Sequence, residues 1–88
     1  MPTISWFYGI AIRMYFRDHP PPHFAASYGE HEANVSIETG EVIAGSLPRT
    51  AALLVKQWTE RHRAELLANW TRARANIMLE RIPGLDND

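Results

Sequence analysis

An α+β fold is what this sequence predicts: an antiparallel β-meander of about five short strands, followed by one bent or two C-terminal helices packed on one face. Three observations predict it. Up to about residue 45, apolar residues recur with period two and are punctuated by glycines, the pattern of short strands joined by tight turns. From Thr50 to Leu79 there is neither glycine nor proline, and strong helix formers dominate. Strands gathered first and helices second argue for segregated layers rather than an alternating α/β arrangement. The 88 residues bound the chain to one domain. It divides into a sheet half over 1–45, a helical part over 47–80 and a tail over 83–88 that is expected to fray from Leu85 onward.

Ile4, Trp6 and Tyr8 alternate with Thr3, Ser5 and Phe7, and Gly9 then interrupts. Ile10, Ile12, Met14 and Phe16 alternate with Ala11, Arg13 and Tyr15. This reads as two strands joined tightly at Gly9, or as one bulged strand running through it. Residues 17–22 are a polar and proline connector. His23–Tyr28 is a third strand, with Phe24, Ala26 and Tyr28 on one face. Gly29-Glu30 suits a two-residue hairpin with glycine first. The fourth strand sets Ala33, Val35 and Ile37 against Glu32, Asn34, Ser36 and Glu38, so one side is core and the other wet. Thr39-Gly40 turns the chain into a short fifth strand over residues 41–44.

Ser46 or Leu47 is the expected helix cap, with Pro48 tolerated in the first turn because its missing N–H would be unpaired there. Val55, Trp58, His62, Leu66 and Trp70 recur mostly every fourth residue. A straight helix has about 3.6 residues per turn, so this stripe drifts round the surface. The drift calls for a break near Arg61–Arg63. Trp58 and Trp70 lie in the stripe and are expected in the core.

Composition excludes several function classes. There is no cysteine, hence no disulfide framework and no thiolate metal site. No apolar run approaches a membrane span, and the N-terminus has no secretory-signal pattern, which reads as a cytoplasmic protein without membrane contact. Phosphate-loop and dinucleotide fingerprints are missing, and no serine stands in an elbow or triad context. Charge is split. Residues 1–46 carry two basic and five acidic side chains, and residues 47–81 carry seven basic and three acidic. Lys56, Arg63, Arg74 and Arg81 would form one line on a continuous helix, and such a line can track phosphates. An ordinary solvated helix face is the simpler reading.

The most unusual stretch is His19-Pro20-Pro21-Pro22-His23-Phe24. Prolines in a row donate no backbone hydrogen bond, so the segment lies at a sheet edge or end. It is a stiff ridge that could dock a partner, and these six residues are the candidate binding surface, with Tyr15 and Phe16 beside them. Along a polyproline helix His19 and His23 would stand roughly 12 Å apart, too far to share an ion. Both imidazoles are expected to hydrogen-bond the ends of the connector. Asp18 and His19 are neighbours that extended chain would point to opposite sides. Neither a cofactor nor a tightly bound metal is expected. The acid–base candidates are His19 or His23, with Arg17 or a helical arginine holding phosphate, and the sequence leaves open whether the protein is an enzyme at all, leaning against it. His62 reads as a satisfied core or hinge residue.

Met1-Pro2-Thr3-Ile4, Ile12-Arg13-Met14-Tyr15-Phe16, the proline–histidine stretch, Ile37-Glu38-Thr39-Gly40-Glu41-Val42, Gly45-Ser46-Leu47-Pro48-Arg49 and His62-Arg63-Ala64-Glu65-Leu66-Leu67-Ala68-Asn69-Trp70 together resemble the bacterial family called domain of unknown function 4160 (DUF4160). The resemblance covers nearly the whole chain. It implies a gene often placed beside one for another family, domain of unknown function 2442, in an arrangement like a toxin–antitoxin or regulatory pair. It therefore implies a protein partner encoded next door. It supplies no catalytic residues. Family members usually carry a further histidine two positions after the second, where this chain has Ala25. Three functions follow as expectations: a protein-interaction component of such a module, a metal-independent ribonuclease, or a nucleic-acid-binding protein using the basic helical face. A homo-oligomer is compatible with each.

Overall fold

The computed structural model describes residues 2–86. Five strands, β1 (Thr3–Phe7), β2 (Ile10–Arg13), β3 (His23–Tyr28), β4 (His31–Ser36) and β5 (Val42–Gly45), form one antiparallel sheet in chain order. Two helices follow, α1 (Arg49–Arg61) and α2 (Arg63–Arg74). The meander, the single-layer helical cover and the α+β class are as the sequence predicts. None of the described helices is long and apolar enough to cross a membrane.

The β1–β2 connection is tight because Tyr8 and Gly9 both take positive φ, 50° and 79°, which matches the twist of the flanking strands. The facing of β1 differs from simple alternation. Thr3 pairs with Arg13 but Ser5 pairs with Ile12, so Ile4 is an extra residue on its strand. This bulge resets the parity. Ile4 and Phe7 are both buried, while Trp6 and Tyr8 stand more than half exposed. The second strand stops at Arg13 instead of running on to Phe16. Met14 stays buried, but Tyr15 and Phe16 leave the sheet.

Helix α1 is capped by Pro48, not by Ser46 or Leu47. Pro48 has φ −56° and ψ 151°, so it is extended on entry, and its carbonyl accepts the first helical bond from Ala52 N–H at 2.9 Å. The break predicted from the drifting stripe falls at His62, whose φ of −115° leaves helical geometry. Arg63 then donates from Nε to the Ile37 carbonyl at 2.9 Å and pins the start of α2 to the end of β4.

The helical part ends at Arg74, short of the expected residue 80. Asn76 takes φ 60°, its N–H bonds the Ala73 carbonyl, and Ile77 N–H bonds the Arg72 carbonyl at 2.7 Å. These two bonds round a left-handed residue form a Schellman stop, for which asparagine is the usual substitute for glycine. The chain then returns. Asn69, fully buried, donates from Nδ2 to the Glu80 carbonyl at 2.8 Å and accepts the Glu80 N–H on Oδ1 at 3.0 Å. Its amide thus pairs with a backbone unit as a neighbouring strand would. Beyond it Ile82 N–H donates to the Ile4 carbonyl at 2.8 Å, and Ile82 is buried. Leu85, expected to fray, packs half-buried against the core. Asn87 and Asp88, also in that expectation, lie outside the described residues.

The core joins Phe7, Ile10, Ile12, Met14, Phe24, Val35 and Ile37 of the sheet half to Val55, Trp58, Leu66 and Trp70 of the helices. Trp58 is its centre, with ring centroids 5.2 Å from Phe7 and 5.7 Å from Phe24, the latter edge to face.

Replacing Trp58 by alanine should cost roughly 3–5 kcal/mol in denaturant melts, and Trp70 somewhat less because it is the more exposed. A loss below about 1 kcal/mol for Trp58 would show that the ring contributes no packing. Asn69→Ala should remove hydrogen-exchange protection at the Glu80 and Ile82 amides before the sheet is affected. Unchanged protection there would mean that the tail is held by apolar contact alone.

Candidate functional site

After Arg13 the chain arches away from the sheet. Arg17 turns it in the left-handed region, φ 58°, and Arg17 N–H donates to the Ala73 carbonyl at 3.0 Å, tying the arch to the end of α2. Asp18 Oδ1 accepts the His19 N–H at 2.8 Å. The Pro20–Pro21 peptide bond is cis, and Pro22 offers its carbonyl to Ile37 N–H at 3.1 Å. The connector turns back on itself and does not run straight as a polyproline helix would. His19 and His23 do not stand roughly 12 Å apart. Their ring centroids are 5.8 Å apart.

Asp18 lies between the two imidazoles. Its Oδ2 is 2.9 Å from His23 Nε2, and its Oδ1 is 3.8 Å from His19 Nε2. The expectation that Asp18 and His19 point apart fails because the arch is not extended chain. His23 is buried and faces two acceptors, Asp18 through Nε2 and the Pro21 carbonyl through Nδ1 at 2.8 Å. Both ring nitrogens of His23 are thereby engaged. His19 is the reverse. Its side chain is 85% exposed, and Nδ1 meets the Pro20 carbonyl at 3.2 Å. Each imidazole does bond the connector. Acid–base work on a ligand falls to His19, since both nitrogens of His23 are occupied.

Behind the pair the rings continue. His23 lies 5.3 Å from Trp70, and the Arg74 guanidinium lies 5.9 Å from the Trp70 ring on which it stacks. His19, His23, Trp70 and Arg74 thus form one column from the connector to the end of α2.

The arch overhangs an open groove of about 580 Å³. Tyr15, Phe16, Arg17 and the Asp18–His19–His23 group line one side, and Glu32, Asn34, Ala44 and Gly45 line the other. Tyr15 and Phe16 are each 37% exposed, and the described structure gives the Arg17 side chain neither an ion pair nor a hydrogen bond. Of the expected binding surface, Pro20 and Pro21 are exposed and Pro22 half-buried, but Phe24 is a core residue and presents nothing to a partner. Ala25 shares the face of His23 and is itself buried. Among the described residues no group of three or more His, Cys, Asp or Glu side chains is placed to hold a metal ion.

The four cations expected in a line are dispersed. Lys56, on α1, pairs with Glu41 at 2.6 Å, and that hydrogen bond raises its pKa above the ordinary lysine value. Arg63 is committed to the Ile37 carbonyl and Arg74 to Trp70, while Arg81 lies beyond α2. The break at His62 removes the straight helix that the line required. His62 does sit at the hinge, with Nδ1 2.5 Å from Glu65 Oε1, but its Nε2 is buried without a partner, so it is not fully satisfied. Sequence reasoning missed Asp18 as the bridge and Asn69 as the clamp. The available signals were an Asp five residues before the second histidine and an amide inside a buried helical stripe.

A family model described as domain of unknown function (DUF4160) matches residues 9–71, from the β1–β2 turn through the arch, the groove and most of α2. No curated protein and no solved structure matches the chain.

Asp18→Ala should cost about 1–3 kcal/mol in urea melts by leaving the buried Nε2 of His23 without its acceptor. His19→Ala, at an exposed position, should stay within about 0.5 kcal/mol. Equal small losses would show that the Asp18–His23 contact holds nothing together.

Proposed function

The chain belongs to the DUF4160 family, and we propose that it serves in the cytoplasm as the protein-interaction component of a two-gene regulatory or toxin–antitoxin-like module. The groove carries this reading. It combines two half-exposed aromatic rings and an unpaired arginine on one rim, and the exposed Pro20-Pro21 ridge follows directly on His19 of that rim. Aromatic residues and arginine are the side chains most enriched where proteins bind one another. A ridge already stiff loses little conformational entropy when a partner seats on it. The partner is the product of the adjacent gene, docking over Tyr15, Phe16, Arg17 and His19.

A second reading has its own observation. An accessible imidazole, His19, stands near the Asp18 carboxylate and lines the same groove as the free guanidinium of Arg17. Those are the parts for metal-independent cleavage of RNA, with His19 as general acid or base and Arg17 holding the phosphate. His23 then acts as a positioning residue.

Titration of the adjacent gene product into wild type and into a Tyr15→Ala, Phe16→Ala double variant separates the readings. The double variant should melt within a few degrees of wild type and bind at least about tenfold more weakly. A wild-type chain that stays monomeric and ignores that product ends the first reading. For the second, His19→Ala should lower RNA cleavage by about 10²–10⁴-fold. Equal cleavage by both proteins, or none by either, disposes of it.

A further inference from the structure

The two edges of the sheet are treated differently. The outer edge of β1 is closed by the returning chain. Ile82 N–H bonds the Ile4 carbonyl, Tyr8 N–H meets Asp86 Oδ2 at 3.3 Å, and a Cβ on Gly84 would stand only 2.7 Å from the Trp6 carbonyl oxygen. The outer edge of β5 has no backbone partner among the described residues. Its sequence, Val42-Ile43-Ala44-Gly45, carries neither a charge nor a proline, the devices that usually blunt an open edge. Ile43 is 51% exposed.

Cavities flank this edge on both sides. Ala44 and Gly45 line the 580 Å³ groove, while Val42 lines a second cavity of about 340 Å³ with Leu47, Ala52 and Val55 on the helical side. A bulge at Ile43 produces this division, because Val42 pairs with Val35 of the core face and Ala44 with Asn34 of the other. The surroundings are acidic. Glu41 already holds Lys56, whereas the described structure gives the Glu32 side chain no partner at all, although it lines the groove beside Gly45.

We infer that β5 is a strand-addition edge, taking an extended segment of a partner protein that carries an apolar side chain for the 340 Å³ cavity and a lysine or arginine to meet Glu32. The inference rests on the reading of the protein as an interaction component and names the chemistry of its partner. An open edge offers evenly placed main-chain donors and acceptors, which only extended backbone can match, and an added strand projects alternate side chains to the two sides where the cavities lie. The bulge limits pairing to two or three residues, so the contact is weak and reversible.

The probe is an acetylated heptapeptide of alternating valine and threonine with a central lysine, followed by amide exchange and chemical shifts. It should slow exchange of the outward amides of β5 by about tenfold and shift residues lining both cavities. The same peptide methylated on its backbone nitrogens should do neither, and Glu32→Lys should transfer the preference to a central glutamate. No slowing at β5, or shifts confined to the arch, overturns the proposal. Slowing of the same amides without peptide, in step with dimer mass on sedimentation, also overturns it, since the occupant is then a second copy. The adjacent gene product binding wild type and Ile43→Lys equally sinks the edge but leaves the interaction reading standing. Peptide protection in a chain that ignores that product does the opposite.

Discussion

One indole holds the two layers and the returning chain in register. Trp58 places its rings against Phe7 of β1 and Phe24 of β3, lies 5.6 Å from His62 at the helix break, and donates its N–H to the Pro83 carbonyl at 2.8 Å. A tryptophan buries about 150–250 Å² of surface, a large share of what a chain this small can bury. The hydrogen bond has a separate consequence. A buried indole N–H needs an acceptor, and among the described residues it finds one in the returning segment, so the residue that seats α1 on the sheet also fixes where the chain recrosses β1.

The groove inherits its shape from this packing. His23 is gripped by Asp18 and the Pro21 carbonyl on one side and packs at a tilt against Trp70 on the other, and the arch is tied to α2 through Arg17 and Ala73. The rim residues are therefore mounted on the helical layer as much as on the sheet. A movement of α2 would carry the His19 side of the groove with it while Glu32 and Asn34 stayed with the strands.

Much of this was legible in the residues. Alternating apolar residues, glycine at the hairpin turns and the drift of the helical stripe led to the right strands and to a break within one residue of His62, although Tyr28, expected on the face of Phe24 and Ala26, is exposed and Ser36, expected on the wet face of β4, is buried. What escaped was whatever depended on a change of parity or on contact between distant segments. The bulge at Ile4 moves Phe7 inward and Trp6 outward, and no local residue announces it. Asn76 stops the helix by a left-handed turn that glycine would have signalled more clearly. The meeting of Asp18 with both histidines follows from how the connector folds back, which extended-chain spacing misjudges. Family resemblance located the connector without saying which imidazole is accessible.

The closure of β1 by residues more than seventy positions later bears on synthesis. The ribosome releases the chain from its N-terminus, at about 5–20 residues per second, so the first hairpins are free of the exit channel well before the returning segment. Throughout that interval both flanks of the nascent sheet lie uncovered, and the apolar face meant for Trp58 is unroofed. For the β1 flank that interval ends when the returning segment docks, with Asn69 holding the backbone of Glu80 and Ile82 bonding Ile4.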